Sequence, residues 1–130
     1  MARNTRIFSD LDLNFIAHPG TKDITRKFDE ESIKQSIKSL ILTQNYERPF
    51  HSEIGSQLRG LLFENVTPML DILIQRSIMD TITNFEPRVR LLAVDVNVST
   101  DNHEVYVRIE FTIINTTTPI TVDLVLKRTR

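Results

Sequence analysis

The chain has no cysteine and no tryptophan, and only three glycines in 130 residues. Without cysteine there is no disulfide framework, no thiolate nucleophile and no sulfur ligand for zinc or an iron–sulfur cluster. The few glycines form no phosphate-cradling pattern, and no serine or threonine sits in a nucleophile elbow. His18, His51 and His103 stand singly in three regions, without metal-ligand spacing, so neither a metal nor a cofactor is expected. The formal net charge is only −1, and the basic residues are dispersed rather than clustered with aromatics. No nucleic acid is therefore expected as a partner. No apolar run approaches the length of a bilayer span, so no membrane partner is expected either. Met1 to Asp10 lack the apolar core of a signal peptide, and the expectation is synthesis and assembly in a cytoplasm.

What is present is ordinary in amount and informative in order. Apolar residues make up 40% and charged residues 25%, as in a soluble globular protein with one modest core. Upstream of Asn84-Phe85-Glu86-Pro87-Arg88 the apolar residues recur at helical spacing; from Val89 onward they alternate. Pro87 places the switch, because it lacks a backbone donor and turns Glu86 away from helical geometry. An acid and a guanidinium are left flanking a rigid turn between a helix and a sheet.

Residues 1–23 read as an N-terminal arm that docks on the domain or on a partner, and residues 24–130 as a single α+β domain. Asp29 reads as an N-cap, with Phe28 and Ile33 as a hydrophobic staple and Ile33, Ile37, Leu40 and Ile41 as the buried stripe of a helix over about 29–43. Pro49 fixes a turn after it, and Phe50 is expected to anchor that loop in the core. Gly55 and Gly60 are expected to permit close backbone approach. A short helix is predicted from about Ser56 to Phe63. A second long helix follows, with Thr67 as its cap, Pro68 at its first position and Leu70, Leu73, Ile74, Ile78, Ile82 and Phe85 as its main stripe. Ile72 and Met79 widen that stripe, which marks the helix as central.

Three strands close the chain. Leu92, Val94, Val96 and Val98 share one face of the first, Val105 to Ile113 of the second, and Ile120, Val122, Leu124 and Leu126 of the third. The short turns between them require an antiparallel meander. The expected fold is thus α+β, with two long helices and one short helix packed on one face of a three-stranded antiparallel sheet.

Paired carboxylates are all that a glycoside hydrolase needs, and Glu47, Glu53, Glu64 and Glu86 lie in the helical half. A muramidase-type hydrolase using two of them is the enzymatic alternative. It lacks the aromatic platforms of a sugar cleft, since Tyr46 and Tyr106 are the only tyrosines and tryptophan is absent.

Arg48-Pro49-Phe50, Gly55, the run from Leu62 to Pro68, and Phe85-Glu86-Pro87-Arg88 before three strands together resemble a known family. It is the small baseplate wedge, or sheath-initiator, subunit of contractile-tailed bacteriophages, with relatives in type VI secretion baseplates and phage-tail-like particles. The resemblance covers about residues 24–127, and a lysozyme-like label carried by the family is the main source of the enzyme alternative. The resemblance implies a structural, non-enzymatic protein of the virion tail baseplate, assembled in the host cytoplasm. Its partners are expected to be the larger wedge subunits, the tail sheath protein, and tail tube or hub proteins. Glu86, Pro87 and Arg88, with Arg48, are expected to contact the wedge bundle. Thr121, Asp123, Val125 and Lys127 on the last strand are expected to receive extended arms of the sheath by strand addition. The basic end Lys127-Arg128-Thr129-Arg130 suits a guarded sheet edge.

Overall fold

A computed structural model describes residues 6–128. Two short strands, β1 (Ser9–Leu11) and β2 (Arg26–Phe28), pair antiparallel ahead of the helices. Helices α1 (Asp29–Leu42), α2 (Leu58–Leu62) and α3 (Leu70–Phe85) follow. Strands β3 (Val89–Ser99), β4 (Glu104–Ile113) and β5 (Pro119–Lys127) form an antiparallel sheet in the order β3-β4-β5. The class is α+β, and the core lies where Ile33, Ile37 and Ile41 of α1 and Ile74, Ile78 and Ile82 of α3 meet the alternating inner face of β4 and β5. No helix among the described residues is long and apolar enough to cross a membrane.

The period change lies at the expected joint: α3 ends at Phe85, and the N–H of Glu86 makes the last helical bond to Ile82 O at 2.9 Å. Several local expectations are corrected. Asp29 does not cap α1, since no side-chain cap bond is made there. Its Oδ1 instead accepts the backbone N–H groups of Ile7 and Phe8, at 2.8 and 3.0 Å, so it ties the N-terminal segment to the helix start. Those two bonds, Phe8 first, hold its carboxyl below the usual aspartate value. Leu92 does not share the inner face with Val94. A bulge between Leu91 and Ala93 changes the parity of β3, so Val89 and Leu91 point inward before it and Leu92 is 52% exposed.

Phe50 does not anchor its loop; it is fully exposed, at 100%, and adopts a positive φ of 67°. The loop is held at its other end instead. Gly55, at φ 142°, lies so close to α1 that a Cβ there would meet Thr43 O at 2.8 Å. The N–H of Ser56 donates to Thr43 O at 2.9 Å, and its hydroxyl donates to Ile41 O at 2.7 Å. Gly60, by contrast, meets nothing within 4 Å, so no close approach requires it. Met69, Ile72, Leu73 and Met79 are exposed, so α3 buries one face rather than most of its girth.

Candidate protein-binding surfaces

Two surfaces carry the residues singled out in the sequence, and they lie on different parts of the fold. The first is the corner between α3 and β3. Glu86 is only 3% exposed, yet it is ionised and fully engaged. Arg88 Nε donates to its Oε1 at 2.6 Å, Arg88 Nη2 to its Oε2 at 3.0 Å, and the Ser36 hydroxyl of α1 to Oε2 at 2.5 Å. Burial opposes ionisation here, but the bonds from Arg88 and Ser36 outweigh it and hold the carboxyl below its ordinary 4.5. The same bidentate grip raises Arg88 above its ordinary value, against the effect of its own burial.

The network then runs outward to the N-terminal segment. Arg88 Nη1 reaches Asp10 Oδ2 of β1 at 3.5 Å, and that oxygen also accepts the Ser32 hydroxyl of α1 at 2.5 Å. The Arg88 guanidinium lies 5.4 Å from the centre of the Phe8 ring. One arginine thus joins the helix-to-sheet corner, α1 and β1. Arg88 and Arg48 both line a groove of about 670 Å³, together with Asp10, Ser36, Leu40 and Ile54. Pro87 is exposed beside it.

Sequence reading singled out Glu86, Pro87, Arg88 and Arg48 but missed Asp10, Ser32 and Ser36. The signal was there: Ser32 and Ser36 are one helical turn apart beside the apolar stripe, where hydroxyls need partners. What no local pattern supplied was the carboxylate 50 residues away that one of them meets.

The second surface is the free edge of β5. Thr121, Asp123, Val125 and Lys127 are exposed and alternate with buried Ile120, Val122, Leu124 and Leu126. Their backbone groups have a definite direction. Just beyond the Glu104–Lys127 pair, the N–H of Arg128 donates to His103 O at 2.7 Å. Hydrogen-bonded pairs alternate along an antiparallel ladder, so Leu126, Leu124, Val122 and Ile120 bond β4. The N–H and C=O groups of Thr121, Asp123, Val125 and Lys127 therefore face away from β4. The other ladder agrees, since Ile114 N donates to Arg88 O at 2.9 Å, which turns the even-numbered residues of β4 toward β3 and leaves the odd ones for β5. Pro119, which has no N–H, falls at an outward position and costs the ladder nothing. Among the described residues no strand pairs with this edge. On the outer face, Arg108 Nε donates to Asp123 Oδ1, directly across the ladder, at 2.8 Å.

The basic end is only partly free. The Arg128 side chain donates from Nε to Leu62 O at 3.1 Å and from Nη2 to Glu64 O. Thr129 and Arg130 lie outside the described residues.

The family model for the baseplate wedge protein gp25 matches residues 28–118, a stretch that contains α1, α2, α3, β3, β4 and the whole Glu86–Arg88 corner. This chain belongs to the gp25 baseplate wedge family. The wedge-family assignment is supported by the baseplate wedge protein gp25 of Enterobacteria phage T4, which is 36% identical over 115 residues covering 88% of this chain and 86% of that protein. The fold is also that of a crystal structure from Geobacter sulfurreducens, provisionally named a tail lysozyme. That likeness has a TM-score of 0.72 at 22% identity, over 78% of this chain and 92% of the other. A chain of the anti-feeding prophage baseplate has the fold as well, with a TM-score of 0.65 at 20% identity over 95% of this chain and 87% of its own. At such identities the two structures speak for the fold alone.

Proposed function

We propose that this wedge-family chain is a non-catalytic structural subunit of a contractile-tail baseplate. It joins the larger wedge subunits through the groove that Arg48 and Arg88 line, and it templates the sheath by accepting an extended arm on the open edge of β5. The observation that carries the reading is the direction of the β5 backbone. Thr121, Asp123, Val125 and Lys127 offer alternating donors and acceptors along a nine-residue strand with one neighbour. Such an edge fits β-augmentation, in which main-chain bonds supply affinity and side chains supply register. At the corner, Glu86 and Asp10 hold the Arg88 guanidinium in place, so a partner carboxylate or carbonyl meets a side chain already ordered. Tube or hub proteins are further neighbours in such an assembly.

Two of the four candidate carboxylates, Glu53 and Glu86, weigh against a role as the acid in hydrolysis of cell wall. A glycosidase acid needs its pKa raised toward the working pH. Glu86 and Glu53 are displaced the opposite way, Glu86 by its partners against burial and Glu53 by its own backbone N–H and His51. The experiment is co-expression with the adjacent tail proteins. Arg48→Glu is expected to leave a folded chain that no longer co-purifies with the larger wedge subunits. Retention of the larger wedge subunits by this variant contradicts the proposed groove contact. Purified chain is expected to release no reducing ends from peptidoglycan, and release abolished by Glu53→Gln supports the hydrolase instead.

A further inference from the structure

The open edge of β5 runs past two grooves that differ in chemistry. Beside Val122, Asp123 and Leu124 lies a space of about 710 Å³ whose α1 wall is Glu31, Lys34, Gln35, Lys38 and Ser39, with Leu42 at its end. Beside Val125, Leu126 and Lys127 lies a smaller one of about 320 Å³, walled by Ile41, Leu42, Leu58, Leu62 and Phe63, with Arg59 the one charged side chain that α2 adds. Ile41 and Leu58 belong to the core, but Leu42 and Phe63 remain 56% and 57% exposed. The bonds from Arg128 to the carbonyls of Leu62 and Glu64 tie the end of α2 to the end of β5 and fix this pocket beside the strand.

An occupant must meet two demands at once. It needs main-chain groups to pair with Val125 and Lys127, and a bulky apolar side chain to cover Leu42 and Phe63. A small apolar ligand or an acyl chain satisfies only the second, whereas an extended peptide satisfies both. Side chains of an added strand alternate between the two faces of the sheet. The one placed beside Leu126 on the helix-facing side enters the apolar pocket. The next on that side, two residues along beside Leu124, meets the polar wall of α1. There Lys34 is engaged by Glu30 at 2.5 Å, while Lys38 has no ion-pair partner among the described residues.

We infer that the pocket of Ile41, Leu42, Leu58, Leu62 and Phe63 reads the sequence of the strand that β5 accepts. The arm carries one large apolar residue that enters the pocket and, two residues along, a polar or acidic residue over Lys38. The inference rests on the strand-addition reading above and adds the residue types by which an arm is chosen and its register set.

The test uses the full chain extended at its C-terminus by a Gly/Ser linker of about ten residues and an alternating strand, so that a weak contact becomes intramolecular. One extension carries Leu at the anchor position with Glu two residues away; the other carries Ser in place of Leu. Amide exchange at Thr121, Asp123, Val125 and Lys127 is the readout. With the Leu extension these four amides are expected to gain protection, and the Ser extension is expected to protect them about tenfold less. In a Leu42→Ser/Phe63→Ser background the two extensions should protect equally. Equal protection by both extensions on the unsubstituted chain overturns the pocket while leaving strand addition standing. No protection by either, with the fold intact, overturns strand addition itself and the pocket with it.

Discussion

Arg88 grips Glu86 with two hydrogen bonds, Nε to Oε1 at 2.6 Å and Nη2 to Oε2 at 3.0 Å, across the single proline that separates them. A buried carboxylate held this way belongs to the fold as well as to any interface. Glu86→Ala strips Ser36 and Arg88 of their acceptor, and removing one member of a buried pair costs about 3–5 kcal/mol. For a chain of this size that is a fall in Tm on the order of 10 °C. Arg88→Lys keeps the charge but loses the fork, so a smaller loss of about 1–2 kcal/mol is expected. Urea denaturation of the isolated chain measures both. An unchanged midpoint for Glu86→Ala would mean that the corner serves partners rather than the fold.

The same carboxylate gives a pH signature. Its pKa is lowered in the folded state, below the ordinary 4.5. Its contribution is therefore fully present above about pH 4.5 and is lost as pH falls through the lowered value. Asp12 and Asp29 are lowered too, Asp12 chiefly by the Asn14 N–H and Asp29 by the Phe8 N–H, but they are common to any Glu86 variant. The stability difference between the natural chain and Glu86→Gln is thus expected to shrink on acidification. A difference that stays constant from neutral pH down to pH 3 contradicts the ionised pair.

In the loop after α1, opposite outcomes are expected five residues apart. Gly55→Ala forces a Cβ toward Thr43 O and Gln44 C, at 2.8 and 2.9 Å, at a φ of 142°, and should cost about 2–3 kcal/mol. Phe50→Ser touches a ring that is wholly exposed and should move stability by no more than about 0.5 kcal/mol. Thermal melts of the two variants settle the pair, and a large loss from Phe50→Ser would place that ring in the core after all.

Much of this architecture is legible in the chain because its causes are local. Pro87 ends α3 by its own covalent structure, and the alternation through Val105–Ile113 and Ile120–Leu126 names the inner face of two strands. Leu92 was misplaced because a bulge changes parity without any glycine or proline to announce it. Phe50 was misplaced because hydrophobicity alone does not say which end of a loop is fastened, and here backbone bonds at Ser56 fasten the other end. Of the corner, Glu86 and Arg88 were visible as a motif. Their contacts with Asp10 and Ser36 were not, because these residues meet Arg88 and Glu86 across 78 and 50 residues of chain. The outward direction of the Val125 N–H was also beyond sequence, since it follows from the ladder phase set by Arg128 and His103.

The claim that β5 templates the sheath is tested most directly by proline at Val125. That N–H faces the open edge, so Val125→Pro leaves the bonds to β4 in place, just as Pro119 does at its own outward position. Asp123 is a less clean choice because its side chain also pairs with Arg108. Particles lacking this chain are complemented with Val125→Pro or with Val125→Thr and imaged by electron microscopy. The expected result is complete baseplates in both cases, with sheaths on the Val125→Thr particles and none on the Val125→Pro particles. Sheaths of normal length growing from Val125→Pro baseplates would contradict the account.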